Sequence, residues 1–475
     1  MPITDSMFLL VESREHPVHV GGLQLFDLPE GAGPDFLHEL HRSLVTGDTG
    51  FDPPFGSRPR RTLSSFGQWA WSPDEHLDLE YHVRLSALPR PGRIRELLEL
   101  VSRLHGALLD RHRPLWEMHL IDGVENGQFA VYTKVHHAVT DGVSALRRMT
   151  RALSDDPDAR DQAPPWAVDT ATGIHASDTA FGIKEIAAGS LRAGGTAARA
   201  FGDMVSIPPA FIGALRQGLS ERTAALPLRA PRSMLNVPIT GARRFAAQSW
   251  PLERIRAVCA ATGATLNDVV LAMSAGALRR YLLEFDALPD QPLIAMIPVS
   301  LRSEATADGG NALGTILCEL GTDTADAAER YTRIRRSMKQ GKQLFEGLSP
   351  VQITALSAAM ISPLVAALLP GVTQFAPPPF NIIISNVAGP DRPLYWNGAR
   401  LRGLYPVSVP VEGQALNITV TTYHDNLEFG LTGCRRRVPH LQRLLLHLEA
   451  ALDELEKAVC GGGRTGGRVR AGRRR

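Results

Sequence analysis

The sequence predicts an α/β (α+β) protein with two domains, each of them a mixed sheet covered by helices. Its 475 residues are too many for one hydrophobic core of ordinary size. Short apolar runs typical of strands alternate with amphipathic helical patterns in both halves of the chain. Between the halves, a polar and proline-bearing segment over residues 154–180 is typical of a linker.

These patterns divide the chain into four parts. We expect an N-terminal domain over residues 1–155, a linker with a helical segment over 156–240, a C-terminal domain over 241–460 and a disordered basic tail over 461–475. The tail contains six arginines and no acidic residue. Such a tail either attracts anionic lipid or keeps the chain soluble, and we favour the second interpretation.

The composition, with 44% hydrophobic and 21% charged residues, is typical of a soluble globular protein. A net charge of +2 gives no global electrostatic case for nucleic acid. The four cysteines are isolated in the sequence, which favours a reducing, cytosolic setting, and no signal peptide is expected. The most apolar stretch, residues 353–369, is too short to span a membrane, so we expect a buried or interfacial helix pair there.

The first half of the chain supplies the elements of one predicted sheet. Apolar residues at helical spacing predict an amphipathic helix, and a turn at residues 125–127 predicts a hairpin. In order, the predicted elements are a strand at 18–26, helices at 35–44 and 94–108, strands at 114–121 and 129–136, and a helix at 142–153.

The second half supplies another sheet. Thr265 and Asp268 have the spacing of a capping box, which predicts a helix over residues 268–283. Continuous apolar runs predict central strands, and regularly spaced leucines predict a closing helix. In order, these elements are strands at 293–299 and 381–387, a hairpin at 416–431 and a helix at 441–455.

The strand that begins at Phe129 ends in two histidines, His136 and His137, and Asp141 follows at the start of a helix. Neighbouring strand side chains point to opposite faces, so the pair does not converge on a metal, and no metal is predicted. We expect one imidazole to face a cleft and the other to brace it. A neutral imidazole, whose pKa is near ~6.5, accepts a proton readily, so His137 is the candidate general base. Asp141 is expected to cap the helix or to pair with an arginine; two purely structural histidines are the alternative interpretation.

Several short motifs occur in a fixed order along the chain. Residues 114–120 contain Pro-Leu-Trp, residues 136–142 match HHxxxDG, residues 267–272 begin with Asn-Asp, residues 381–390 end in Gly-Pro, and residues 415–419 read Ala-Leu-Asn-Ile-Thr. HHxxxDG resembles the motif of the CoA-dependent acyltransferase superfamily. The whole set, from about Phe8 to Leu455, resembles the bacterial wax ester synthase/diacylglycerol acyltransferase (WS/DGAT) family. One departure is Ala388, where that family usually has proline.

The resemblance implies a two-domain CoA-dependent acyltransferase fold with the active site at the domain interface. It implies transfer of a long-chain acyl group from acyl-CoA to a fatty alcohol or to diacylglycerol. His137 would deprotonate the hydroxyl, and CoA would leave as the thiol without a covalent acyl-enzyme. Acyl-CoA is then a substrate, and no cofactor is implied.

Two other functions remain open at this stage. HHxxxDG alone also fits a condensation-type acyltransferase that uses another thioester donor, and a non-catalytic lipid-droplet coat would keep the fold without the chemistry. We expect a cytoplasmic protein in peripheral contact with the inner face of the membrane or with lipid inclusions. The preferred acceptor, the chain length and the oligomeric state are left open.

Three further candidate residues each have two interpretations. Asn267 either stabilises the oxyanion at a helix N-terminus or caps that helix together with its neighbour. Arg302 either binds a CoA phosphate or pairs with Asp141. His119 either braces His136 from the neighbouring strand or is a buried histidine with its own partners.

Four residues are candidates for contact with substrate. Gly142 follows the central acid of HHxxxDG at the start of its helix. Trp116 is included, although it is expected to pack behind the site more than to touch substrate. Asn386 and Gly389 are expected to shape a tight turn near an acyl tunnel.

Overall fold

Two six-stranded sheets form the frame of the protein in the computed structural model. The structure describes residues 1, 3–47, 50–61, 68–167, 230–302, 311–346, 348, 352–353, 356–357, 360 and 377–460. Residues 168–229 of the predicted linker, most of 353–369 and the tail at 461–475 lie outside the described residues. The two helix-covered sheets confirm the predicted fold class, and the domain boundaries stay a prediction.

The elements are numbered along the described chain. The strands are β1 (His19–Asp27), β2 (Ser57–Arg61), β3 (Trp69–Pro73), β4 (Val83–Ala87), β5 (Trp116–Val124), β6 (Gln128–His136), β7 (Arg243–Pro251), β8 (Ile294–Arg302), β9 (Asn311–Glu319), β10 (Ile382–Val387), β11 (Tyr395–Trp396), β12 (Ala399–Val407), β13 (Leu416–Tyr423) and β14 (Asn426–Cys434). The helices are α1 (Ile3–Val11), α2 (Phe36–Thr46), α3 (Leu79–His82), α4 (Ile94–Gly106), α5 (Gly142–Arg151), α6 (Leu252–Thr262), α7 (Leu266–Glu284), α8 (Ala327–Gln343) and α9 (Arg443–Cys460).

The first sheet has the strand order β11-β12-β1-β6-β5-β4. Strand β4 runs parallel to β5, and every other neighbouring pair is antiparallel. Strand β6 lies between β1 and β5, and all of its residues after Gln128 are buried. This central position explains why its sequence is an apolar run rich in β-branched and aromatic residues. The histidine pair therefore stands at the end of a strand that is fixed on both sides.

Strands β11 and β12 of this first sheet come from the second half of the chain. Strand β12 pairs antiparallel with β1, with Gly21 opposite Val407. Beyond β12 the two sheets meet closely, since a Cβ at Gly430 of β14 would lie 1.9 Å from the carbonyl oxygen of Pro406. No pattern in the sequence predicts that β11 and β12 join the first sheet, because a local pattern predicts a strand but not its pairing partner.

The second sheet has the order β7-β14-β13-β10-β8-β9, and β10 runs parallel to both β8 and β13. Helix α7 is buried along most of its length and packs against α6, α8 and α9. The predicted capping box is confirmed: Thr265 accepts a hydrogen bond from the Asp268 N–H, and the Asp268 carboxylate accepts one from the Thr265 N–H. The helix begins two residues earlier than predicted.

No single helix among the described residues is long and apolar enough to cross a bilayer. Helices α6 and α7 reach the length and apolarity of a membrane span only when taken together, and the chain bends by 106° between them.

A buried carboxyl lies where the two sheets meet. Glu428 of β14 is fully buried, and one of its oxygens accepts a hydrogen bond from Ser249 of β7. The same serine hydroxyl lies 3.0 Å from the hydroxyl of Tyr405 on β12. The other carboxyl oxygen, Oε1, has no hydrogen-bond partner among the described residues. Burial therefore raises the pKa of Glu428 from 4.5 to about 8, so the group is neutral at pH 7.

Replacement of Glu428 with glutamine is expected to stabilise the protein at neutral pH. The unfolded chain loses the glutamate proton near pH 4.5 and the folded protein only near pH 8, so wild-type stability falls as the pH rises through this interval. Glu428→Gln removes that loss, so the free energy of unfolding should be up to about 3 kcal/mol higher than that of wild type at pH 7 and almost unchanged at pH 4.5. Urea unfolding at both pH values measures this difference in stability, and Glu15→Gln, at an exposed position, is the control. An equal pH dependence in wild type and Glu428→Gln would contradict it.

Candidate active site

The candidate site is built at the end of β6. The His136 N–H donates to the Leu115 carbonyl on the β5 side, and the His137 N–H donates to the Val18 carbonyl on the β1 side. Both side chains are buried, with relative exposures of 0% for His136 and 6% for His137. The backbone of the pair is thus fixed between two neighbouring segments.

His136 is held by a buried acid from the end of α1. Its Nδ1 accepts a hydrogen bond of 3.0 Å from the Ala138 N–H, so Nε2 is the ring nitrogen that carries a proton, and it lies 3.3 Å from Glu12 Oε1. Arg111 donates to the other oxygen of Glu12 through Nε and Nη2, at 3.2 and 3.0 Å. Burial raises the pKa of Glu12, but the charge of His136 and the hydrogen bonds from the Val18 N–H and Arg111 outweigh burial and bring that pKa below its usual value. Glu12 therefore acts as a carboxylate brace for His136.

His119 does not brace His136. Its Nε2 lies 3.2 Å from Glu117 Oε2, and the Lys134 ammonium lies 3.3 Å from the same oxygen. Its ring is also tilted against that of Tyr132, with centroids 6.0 Å apart. The bracing interpretation was wrong because the long-range partner of His136 is Glu12, whereas His119 is a buried histidine with its own partners.

His137 is covered by an aromatic ring from α1. The rings of Phe8 and His137 stack with centroids 4.4 Å apart and an interplanar angle of 24°. The two histidines thus have different surroundings: a carboxylate faces His136, and an aromatic face covers His137. Among the described residues no group of three or more His, Cys, Asp or Glu side chains has the arrangement of a metal site.

Asp141 caps α5. One carboxylate oxygen accepts from the Ser144 N–H at 2.9 Å and the other from the Ser144 hydroxyl at 3.1 Å. No ion pair between Asp141 and an arginine occurs in the part of the chain that is described. Gly142 begins α5, and a Cβ there would lie 3.8 Å from Val20, an ordinary contact. The acid therefore fixes the turn that follows the histidines.

Trp116 lies in the apolar core of the first sheet. Its exposure is 1%, and its indole N–H donates to the Phe55 carbonyl at 2.9 Å. It stacks on Trp166 at 4.9 Å and on His82 at 4.5 Å between ring centroids. These neighbours favour packing behind the site over contact with substrate.

Asn267 is the second residue of α7 and is half-buried. Thr265 and Asp268 make the capping hydrogen bonds, and no hydrogen bond of the Asn267 side chain occurs among the described residues. The capping role belongs to its neighbours, so the oxyanion role of Asn267 stays a prediction. Arg302 is the last residue of β8, but its side chain is not part of what the structure describes. Its pairing with a CoA phosphate or with Asp141 therefore stays a prediction.

Asn386 and Gly389 lie at and just beyond the end of β10. Asn386 pairs in register with Val420 of β13 and is half-buried. A Cβ at Gly389 would lie 2.0 Å from the Thr422 carbonyl oxygen, and the Gly389 N–H donates to the Thr422 hydroxyl at 3.1 Å. This close backbone approach requires glycine, whereas the tight turn and a nearby acyl tunnel stay predictions.

Phe8, Glu12 and Arg111 are site residues that no local motif predicts. Phe8 and Glu12 lie far from the histidine pair in sequence and contact it only through folding, and Arg111 contacts Glu12. One signal was present: an acid directly follows the apolar run Phe8-Leu-Leu-Val, and a carboxylate carried into a core needs a partner.

The chain is similar to known acyltransferases over nearly its whole length. The family model described as the wax ester synthase/diacylglycerol acyltransferase catalytic domain matches residues 1–270, and that of the WS/DGAT C-terminal domain matches residues 309–456. The chain is 50% identical to a probable diacylglycerol O-acyltransferase, tgs2, of Mycobacterium tuberculosis, over 96% of this chain and 98% of the relative. It is 42% identical to a putative diacylglycerol O-acyltransferase, Rv0895, of the same organism, over 100% of this chain and 94% of the relative.

Solved structures give a similar result. The wax ester synthase/diacylglycerol acyltransferase from Marinobacter aquaeolei VT8 matches with a TM-score of 0.74 and 44% identity, over 96% of this chain and 98% of that one. The first condensation domain of the CDA synthetase matches with a TM-score of 0.56 and 16% identity, over 97% and 96%. The second match concerns the fold alone.

Proposed function

Because the chain belongs to the wax ester synthase/diacylglycerol acyltransferase family, a family of acyltransferases, we propose that it transfers a long-chain acyl group from acyl-CoA to diacylglycerol, to a fatty alcohol, or to both. The observation that carries the proposal is the arrangement of HHxxxDG: His136 is braced by Glu12, Asp141 caps the next helix, and His137 stands between them. The mycobacterial relatives are named as diacylglycerol O-acyltransferases, and the Marinobacter protein is named as both a wax ester synthase and a diacylglycerol acyltransferase.

In this reaction His137 is the general base. It takes the hydroxyl proton of the acceptor while the hydroxyl oxygen attacks the thioester carbonyl, which forms a tetrahedral oxyanion. When that intermediate collapses, the C–S bond breaks and the CoA sulfur takes the proton back from His137. One ester and one CoA thiol are formed for each turnover, and the histidine returns to its neutral state. No acyl group is bound to the protein at any step.

Proton transfer of this kind contributes about 10²–10⁴-fold, so substrate positioning and oxyanion stabilisation must supply the rest. Asn267 is our candidate for the oxyanion donor, because it lies in the first turn of α7, where the helix dipole favours negative charge. The neighbouring capping box holds this turn in place without using the Asn267 amide. Asn267→Asp would then remove a donor and add a charge of the wrong sign.

Both lipid acceptors are too apolar to be delivered from water as single molecules. We therefore propose that the protein works in the cytoplasm in peripheral contact with the inner face of the membrane or with lipid inclusions. The proposal rests on the chemistry of the acceptors. Sedimentation with acceptor-containing vesicles tests it, and a protein that stays in the supernatant would contradict it.

An acceptor comparison tests the proposed activity. Purified protein with palmitoyl-CoA and either hexadecanol or dipalmitoylglycerol is expected to form ester and an equal amount of free CoA with at least one acceptor. The same palmitoyl group offered on an acyl carrier protein tests the condensation-type alternative, whose fold the chain shares. Absence of ester with both acceptors from palmitoyl-CoA, or ester only from the carrier protein, would refute the proposal.

A further inference from the structure

Helix α1 and the residue that directly follows it contact both histidines of the candidate site. The Phe8 ring of α1 stacks on His137 with centroids 4.4 Å apart, and the carboxylate of Glu12, which follows α1, lies 3.3 Å from Nε2 of His136. The two residues are one helical turn apart, since the Glu12 N–H donates to the Phe8 carbonyl at 3.1 Å. The last turn of α1, together with Glu12, therefore forms one wall of the site.

We propose that Phe8 is a positioning residue, whose ring holds the plane of the His137 imidazole and stabilises the imidazolium that forms when His137 takes the acceptor proton. The proposal rests on the proposed role of His137 as the base. Phe8 lies outside the HHxxxDG motif.

The stacking geometry supports the first part of this role. An imidazole at a strand end turns about its last side-chain bond with little resistance, because that torsion has broad minima. A second ring at 4.4 Å and 24° restricts this turning, since rotation of His137 would drive its edge into Phe8. Phe8 is itself held, because it packs against the apolar core of the first sheet.

The electrostatics of the ring support the second part. The face of a phenyl ring carries partial negative charge and attracts a cation lying over it. As the proposed base, His137 gains a positive charge only when it takes the acceptor proton, so the attraction is strongest once that charge develops in the transition state. An interaction of this kind raises kcat more than it tightens substrate binding. The effect is larger at a buried site, and His137 is only 6% exposed.

Three variants distinguish the effect of the aromatic face of Phe8 from the effect of its side-chain size. Phe8→Leu keeps an apolar side chain without a π face, Phe8→Tyr keeps the face, and Leu10→Ala is a control on the same helix, where Leu10 is 57% exposed. We expect Phe8→Leu to lower kcat about 10-fold, with the KM for palmitoyl-CoA changed less than about two-fold. Phe8→Tyr should recover most of the wild-type kcat, and Leu10→Ala should match wild type.

The outcomes distinguish this proposal from the proposed function. A wild-type protein without transferase activity refutes the function itself, whereas an active wild type with equally active Phe8→Leu overturns only the role of Phe8. Equal losses in Phe8→Leu and Phe8→Tyr, or a loss that appears in KM alone, also overturn it. Should Phe8→Leu fail to fold, Phe8→Met provides the same comparison with a more adaptable apolar side chain.

Discussion

Replacing His137 with alanine is expected to lower the rate of ester formation by about 10²–10⁴-fold while the protein stays folded. Without an imidazole, water or bulk base must accept the hydroxyl proton, and the alkoxide no longer forms next to the bound thioester. The loss should appear in kcat, because His137 does not hold the acyl chain. Initial rates of ester and CoA formation from palmitoyl-CoA measure it directly.

A control variant tests the loss of a histidine elsewhere in the protein. His41 of α2 is half-buried, and its ring donates a hydrogen bond of 2.9 Å to the Val83 carbonyl. His41→Gln should keep wild-type kcat within about two-fold, because glutamine can still donate to that carbonyl and His41 makes no hydrogen bond or ion pair with the described residues of the candidate site. Retained activity in folded His137→Ala would show that the base lies elsewhere.

Replacing Glu12 with alanine is expected to impair both the stability and the activity of the protein. The change leaves the His136 Nε2–H and the Val18 N–H without their carboxylate and removes the partner of Arg111. The cost in unfolding free energy should be about 3 kcal/mol, because buried donors lose their acceptor and a partly buried ion pair is broken. kcat should fall by about 10–100-fold, since His136 no longer holds the turn that carries His137.

The pH dependence gives a second test of the same brace. The pKa of Glu12 is lower in the folded protein than its unfolded value of 4.5, so its contribution is complete above that pH and is lost as the pH falls below it. The stability difference between wild type and Glu12→Ala should therefore shrink in acid. Glu15→Ala, in the exposed loop after α1, is the control and should change neither stability nor kcat. A Glu12→Ala protein with wild-type stability at pH 7 would rule out the brace.

Local features of this chain could be read from the sequence because their causes are local. The Thr265 and Asp268 capping box depends on three residues of spacing and is present as predicted. The same holds for Asp141, whose carboxylate caps the helix that begins at the next residue. Strand periodicity also separated the tasks of His136 and His137, which have different partners in the structure.

Features that depend on distant segments could not be read in this way. Strand β12 joins the first sheet although it lies in the second half of the chain, because pairing partners are chosen by the fold as a whole. His119 was a plausible brace on the neighbouring strand, but its ring pairs with Glu117. The ring that covers His137 belongs to Phe8 of α1, and the actual brace, Glu12, directly follows that helix; no local motif predicts how this segment packs.

A first-turnover experiment with labelled palmitoyl-CoA tests directly whether His137 acts as a general base without an acyl-enzyme. Protein-bound acyl label, free CoA and ester are followed without acceptor and then with dipalmitoylglycerol or hexadecanol, for wild type and His137→Ala. A general-base mechanism predicts no protein-bound label and no CoA burst without acceptor, one ester for each CoA once acceptor is added, and neither product from His137→Ala at a comparable rate. A burst of CoA equal to the protein concentration, with the label bound to the protein, would contradict it.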